Sequence, residues 1–257
     1  MIGFLLIFFF AALLSCATDQ APLQIVKTLP QSEIAYYNDP FDKMREDLWD
    51  RAGFLYREEQ MQNFKQADMR FENGKLIIQT QTGSFSKGGL ATRYGLRGNF
   101  DIQLDCHMDF IKGVSSMDMD QVLSFGVYDQ STKFGEMAAA IIGLSMKGGL
   151  DQGYIFSNCF KNGEFKRGGS HKTENFNGSF RIVRTGKDIH TFYKNNGATP
   201  EWTKMTTYRL ADRDMMMGFQ LRNFFAQRTS LQASYSISVE FDQFKITAAQ
   251  QIIEEEI

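Results

Sequence analysis

The sequence predicts an all-β protein: one antiparallel sandwich of two sheets behind an export signal. Three observations carry that fold class. From Met69 onward, short runs are alternately apolar and polar or wholly apolar, among them KLIIQTQ, QVLSFGVYD, AAAIIGLSM, SFRIVRTG, MMMGFQLR and YSISVEF. Turn-forming pairs recur between or beside them: Asn73-Gly74, Gly88-Gly89, Asn162-Gly163, Gly168-Gly169, Asn177-Gly178 and Asn196-Gly197. Glycine, and to a lesser extent asparagine, accepts the positive φ that tight hairpins need. Finally, 257 residues that are 43% apolar, with 24 Phe and only 4 Pro, suit a single large β domain and oppose a disordered chain.

The elements follow in order. Residues 1–16, MIGFLLIFFFAALLSC, carry no charged side chain. The apolar run Ile2–Leu14 is shorter than the roughly 20 residues a spanning helix needs and fits the core of a signal peptide. Its end, Leu13-Leu14-Ser15-Cys16, resembles a bacterial lipoprotein signal. That resemblance implies Cys16 as the lipidated first residue of an exported chain, anchored to a membrane of the cell envelope. The first basic side chain is Lys27, so the usual positive charge before the apolar run is missing, and plain secretion or periplasmic release is the other reading. Residues 17–35 read as a tether. A short helix is expected near Asp42–Asp50. The sandwich domain is expected over 36–247, with a bulge near Asp242-Gln243 where the apolar face changes parity. The last residues, 248–257, read as an acidic tail outside the sandwich.

A net charge of −2 gives no field to attract nucleic acid, so no nucleic-acid partner is expected. Export permits a disulfide between Cys106 and Cys159. Equally, Cys106 falls on the apolar face of its strand, where a free thiol behaves as a small hydrophobe.

The stretch DIQLDCHMDF separates cleanly by parity. Phe100, Ile102, Leu104, Cys106, Met108 and Phe110 share one face, and Asp101, Gln103, Asp105, His107 and Asp109 share the other. Three readings of the polar row are open: a solvated outer face, a ligand-binding face, or a catalytic one. At about 3.4 Å per residue, Asp101 and Asp105 lie roughly 13–14 Å apart at Cα, beyond the carboxyl spacing of about 5–9.5 Å used in glycoside hydrolysis. A catalytic pair would need a carboxylate from a neighbouring strand. Calcium is the one cofactor to consider, through Asp109, Asp118 and Asp120, although that ion takes six to eight oxygens.

Three stretches resemble the concanavalin A-like lectin and glucanase superfamily, whose fold is a jelly-roll sandwich. They are FENGKLIIQTQTGSFSKGGLATRYGLRGNFDIQLDCHMDF, FRIVRTGKDIHTFYKNNGATPEWTKM and SVEFDQFKI. The resemblance implies carbohydrate binding or cleavage at a concave face. Laminarinase-type members carry Glu-x-Asp-x-Glu on one strand, and no such run occurs here. Trp202 reads as a packing residue.

Arg93, Asp105, His107, Arg181 and Arg222 are the polar candidates for a ligand face. The leading expectation is an envelope lipoprotein whose sandwich binds a carbohydrate, or another extracellular ligand, without catalysis. The alternatives are a secreted carbohydrate-active hydrolase and a structural protein that meets another envelope protein.

Overall fold

The computed structural model describes residues 28–51, 63–114, 119–129, 137–224 and 233–254. Cys16, Asp118, the expected signal segment and most of the expected tether lie outside the described residues. Within them, no helix is long and apolar enough to cross a membrane.

The chain opens with a single helical turn, α1 (Gln31–Ile34), and a 3-10 turn (Ala35–Tyr37). Fifteen strands follow among the described residues: β1 (Trp49–Arg51), β2 (Phe64–Gln66), β3 (Asp68–Glu72), β4 (Lys75–Gln79), β5 (Phe85–Thr92), β6 (Tyr94–Asp109), β7 (Gln121–Tyr128), β8 (Ala139–Met146), β9 (Gly153–Lys161), β10 (Glu164–Thr173), β11 (Asn175–Thr185), β12 (Asp188–Asn195), β13 (Thr199–Arg209), β14 (Met216–Arg222) and β15 (Ser238–Glu254). They form two sheets. One is eight-stranded, ordered β1-β5-β14-β7-β8-β9-β10, with β2 pairing parallel to β5. The other is seven-stranded, ordered β13-β12-β11-β6-β15-β4-β3. Apart from β2, all pairing is antiparallel.

The core lies between the sheets and follows the every-second-residue rhythm. Phe100, Ile102, Leu104, Cys106 and Met108 of β6 are buried in one cluster with Leu123, Phe125 and Val127 of β7 and Met217, Phe219 and Leu221 of β14. Trp49 anchors one end. Its ring packs edge-on to Phe219 and Phe244, and its Nε1–H donates to the buried Asp39 carboxylate at 2.7 Å. Burial raises the Asp39 carboxyl above the usual range, against the opposing hydrogen bonds from Phe41 N–H and Trp49. Polar groups also cross between the sheets: Ser157 Oγ lies 2.8 Å from Thr191 Oγ1 and 3.0 Å from Tyr208 OH.

Several expectations are corrected. Asn73-Gly74 and Asn162-Gly163 do form hairpin turns, each with the paired positive φ of a type I′ turn (54° and 70°; 53° and 74°). Gly88-Gly89, Gly168-Gly169 and Asn177-Gly178 instead lie inside β5, β10 and β11. A Cβ on Gly89 would sit 2.0 Å from the Phe219 carbonyl oxygen of the adjoining strand. Glycine there serves close strand approach, a use that looks the same in sequence as a turn. The helix expected near Asp42–Asp50 is absent; a turn there leads into β1. The domain also begins earlier than residue 36: Ile34 is fully buried, and Leu29 N–H donates to Ala249 O. At the other end, residues 248–254 are not an external tail. They continue β15 and pair with the first half of β6, Gln251 opposite Arg97 and Ile253 opposite Gly95. The bulge between Phe241 and Gln243 lies where parity placed it. Cys106 and Cys159 are separate buried thiols, Cys106 in the seven-stranded sheet and Cys159 in the eight-stranded one, not a disulfide. Burial raises both thiol pKa values, so neither is a ready nucleophile.

Candidate functional site

The polar candidates do not converge. Asp105, His107 and Arg181 project from the outer face of the seven-stranded sheet, because their β6 and β11 neighbours Leu104, Cys106, Phe180 and Ile182 fill the core. Arg222 projects from the outer face of the opposite sheet, and Arg93 follows β5 at its β1 end, where Nη2 pairs with Asp50. Two sheet thicknesses therefore separate the two groups.

The seven-stranded outer face is filled with side chains of both signs. Register places Glu240, His107 and Asn177 in one row, Gln243, Asp105, Ser179 and Lys194 in the next, and Lys245, Gln103, Arg181 and Phe192 in a third. Arg181 closes a bidentate pair on Asp101, and its guanidinium lies 5.5 Å from the Phe192 ring centre and 5.6 Å from that of Trp202. Lys194 Nζ lies 5.2 Å from the same indole. Trp202 is thus a packing residue between cations. His107 Nε2 lies 3.3 Å from Asp109. This face is the half-solvated side expected of an antiparallel sheet with its other face in the core.

Among the described residues no cluster of His, Cys, Asp and Glu could hold a metal ion. Asp109 is exposed beside His107. Asp120 is buried and accepts a hydrogen bond from Gly148 N–H at 3.1 Å.

The outer face of the eight-stranded sheet is built differently. Parity sends alternate residues of β5, β14, β7, β8, β9 and β10 outward, and register stacks them in four rows. The first row is Lys87, Arg222, Val122, Ser145, Tyr154 and Lys172. The second is Gly89, Gln220, Ser124, Gly143, Phe156 and Ser170. The third is Ala91, Gly218, Gly126, Ile141, Asn158 and Arg167. Met216, Tyr128, Ala139, Phe160 and Phe165 make the fourth. Small residues dominate the two middle rows over β5, β14, β7 and β8. Larger side chains, Arg222, Met216, Tyr128, Tyr154 and Phe160 among them, stand in the two outer rows, interrupted by Val122, Ser145 and Ala139. The result is a strip of small residues, a trough in outline, running across the strands, and over β5, β14 and β7 nearly all of its residues are buried. Six strands at about 4.8 Å spacing give it a length of roughly 24 Å.

Sequence reasoning named only Arg222 in this trough. It missed Gln220, which lies on the trough floor between Gly89 and Ser124, is 2% exposed, and has an Oε1 that accepts no hydrogen bond among the described residues. A buried amide oxygen without a donor is costly, at about 1–3 kcal/mol. Tyr154, Phe156, Phe160 and Phe165 form an aromatic strip at the far end, with Phe160 and Phe165 ring centres 5.3 Å apart and Phe165 half-exposed. None of the outward positions in the four rows on these six strands is Asp or Glu; Asp50 of β1 stands beside Ala91 at the edge of the third row. The signal was present in the sequence as alternating small residues on successive strands: Ser124 and Gly126, Gly143 and Ser145, Gly218 before Gln220.

No family model matches the chain. No curated protein matches it either. Solved structures do resemble it. A Bacillus licheniformis β-glucanase aligns with a TM-score of 0.54 at 14% identity, covering 87% of this chain and 99% of that one. A glycoside hydrolase family 16 endo-glucanase from Bacteroides ovatus aligns at 0.56 and 11% identity, covering 82% and 99%. The CBM2 module of the evolved Dit of Lactobacillus casei BL23 phage J-1 aligns at 0.57 and 11% identity, covering 86% and 96%. At these identities the likeness shows the fold alone, a two-sheet jelly-roll sandwich.

Proposed function

We propose that this protein binds a glycan chain along the trough of the eight-stranded sheet and does not cleave it, and that it does so as a cell-envelope lipoprotein held through Cys16. The observation that carries the binding reading is the buried Gln220 Oε1 without a donor on a floor of glycine and serine. A sugar hydroxyl would supply the donor. The aromatic strip offers flat apolar surface to a sugar ring's C–H faces, and Asn158 adds an amide in the next row. Apolar and aromatic walls with a few placed polar groups are the usual makeup of a ligand site. The non-catalytic part rests on chemistry: a glycosidase needs two carboxyl groups about 5–9.5 Å apart, and the outward positions of these six strands hold none.

A second reading, a glycan-cleaving enzyme, is favoured by the structural neighbours, which include a β-glucanase, a lichenase and an endo-glucanase. One experiment separates the readings. The purified protein is screened against neutral and acidic polysaccharides for retention in affinity gels, and the same mixtures are assayed for new reducing ends. Retention without reducing ends, weakened about tenfold by Gln220→Ala through loss of a buried hydrogen bond, is the expected result. Reducing ends produced by wild type would establish the enzyme. The anchor is tested by labelled palmitate, which should enter wild type and not Cys16→Ala.

A further inference from the structure

We infer that the recess between the N-terminal turns and the end of β15 binds a small organic cation, an ammonium group carried on an apolar body. The recess lies at one end of the sandwich, away from the trough, and its ligand is independent of the glycan.

The recess arises from how the chain enters the domain. Leu29 N–H donates to Ala249 O, and α1 and the 3-10 turn then pack along β15. Leu29, Glu33, Tyr36, Tyr37, Gln251 and Ile252 line the space left between them, about 300 Å³. That volume is at the lower end of small-ligand sites, whose walls are mostly apolar and aromatic with a few polar groups. Two of the walls are tyrosine rings fixed by partners that do not line the recess. The rings of Tyr36 and Tyr37 stand edge to face, with centres 5.1 Å apart and planes at 87°. Tyr36 OH donates to Asp47 Oδ2 at 2.8 Å, and Arg45, paired with the same carboxylate, lies 5.1 Å from the ring centre. Tyr37 OH donates to Glu254 Oε1 at 2.7 Å, and its ring packs on the buried Tyr94 with centres 4.7 Å apart. Both rings are thus set before a ligand arrives, which lowers the ordering cost of binding. Tyr36 is nonetheless 53% exposed, a large aromatic surface that the core does not use.

The chemistry of these walls selects a cation. Aromatic faces attract an ammonium through the ring quadrupole. Glu33 is the one charged side chain among the described lining residues, and the Glu254 carboxylate stands behind Tyr37. The nearest cations are already matched, Arg45 by Asp47, and Arg97, opposite Gln251 on β6, by Asp214. The Tyr37 phenol is pushed up to about 12, by burial first, then by Glu254, with smaller contributions from Tyr36 and Glu33. Leu29 and Ile252 offer apolar surface to the alkyl part of the ligand. A metal ion would find too few oxygens, and among the described residues no cluster of His, Cys, Asp and Glu could hold one. The fixed rings and the space between them make the site, and the carboxylates set its sign.

The test titrates the full-length protein with choline and with its uncharged isostere, in which carbon replaces the nitrogen, followed by nuclear magnetic resonance. Choline should bind about tenfold more tightly than the isostere. Tyr36→Leu should weaken choline about fivefold, whereas Tyr36→Phe, which keeps the ring, should retain most of the affinity. Glu33→Gln should weaken it about threefold. Asp105→Asn, a similar change of charge on the outer sheet face, should leave it unchanged. Urea unfolding confirms that each variant is folded, and Glu33→Gln, at an exposed position, carries the test should Tyr36→Leu not fold. Phosphocholine presents the same ammonium as a lipid headgroup does, with a phosphate that Glu33 and Glu254 repel. It should bind more weakly than choline; binding at least as tight would give the cation a lipid source. Equal affinity for choline and its isostere would overturn the inference. So would the absence of choline binding, or choline binding that neither Tyr36→Leu nor Glu33→Gln weakens. Each of these outcomes leaves the glycan reading as it stands.

Discussion

Arg181 Nε and Nη2 donate to Oδ1 and Oδ2 of Asp101 at 2.9 and 2.6 Å, joining β11 to β6 on the outer face of the seven-stranded sheet. Both side chains are mostly covered, 14% and 9% exposed. Removing one partner leaves the other charge half-stranded, and such losses run to about 3 kcal/mol. Arg181→Ala should therefore lower unfolding stability by about that amount while leaving polysaccharide affinity unchanged, because the trough is on the opposite sheet. Urea unfolding and affinity gels on the same samples check both halves. A loss of binding in a stably folded Arg181→Ala protein would move the site to the other face.

Asp105 is four residues along the same strand and differs in kind. It is half-buried between Ser179 and Gln243 on the outer face. Asp105→Asn should change stability by no more than about 0.5 kcal/mol, as solvated surface substitutions do. A loss above about 2 kcal/mol would show a structural partner for the carboxylate.

His190 gives the fold an acid sensitivity. Burial first, and then the Lys204 charge, push its pKa below the ordinary histidine value, with Asp188 opposing. Its ring nitrogens lie 3.0 Å from Thr185 Oγ1 and 2.8 Å from Thr207 Oγ1. The folded protein thus takes up a proton less readily than the unfolded chain. The stability tied to neutral His190 is present above the unfolded value of about 6.5 and is lost as pH falls from there through the lower folded-state value. Urea midpoints should drop between pH 7.5 and pH 5.5, and His190→Gln should show a smaller drop. Equal drops in the two proteins would remove His190 as the cause.

Parity in the sequence was enough to separate the core face from the wet face on β6 and β14, since one residue in two must meet the other sheet. It also located the bulge near Asp242, where Phe241 and Phe244 both had to point inward. It could not say which of two outer faces is the trough. That depends on which strands are neighbours, and Gln220 gains its meaning only from Gly89 and Ser124 beside it on β5 and β7. Asp105 and His107 drew attention because charged side chains are conspicuous, whereas a trough is made by residues that leave space. The C-terminal residues were misplaced for a related reason. AAQQIIE has no clear alternation, because bulges after Ile246 and Ala249 break its period.

The glycine reading has the sharpest test. Gly143 lies on β8 in the second row of the trough, and a Cβ there would sit 2.0 Å from the Leu123 carbonyl oxygen and 3.1 Å from Ser124 Cα, both on β7. Both contacts are backbone, so no side chain can swing aside to relieve them. Gly143→Ala must push β7 from β8, and such overpacking costs about 1–3 kcal/mol. Gly197, in the turn between β12 and β13, has nothing within 4 Å of a built Cβ and no positive φ. Gly197→Ala should be neutral or stabilising by up to about 1 kcal/mol, because alanine has fewer unfolded conformations to lose. Denaturant unfolding of the pair reads the contrast directly. The Gly143 variant should also bind polysaccharide more weakly than Gly197→Ala, since the strands it separates carry Ser124 and the floor beside Gln220. If Gly143→Ala is as stable as wild type and binds as well, the close approach of β7 and β8 does not shape the trough.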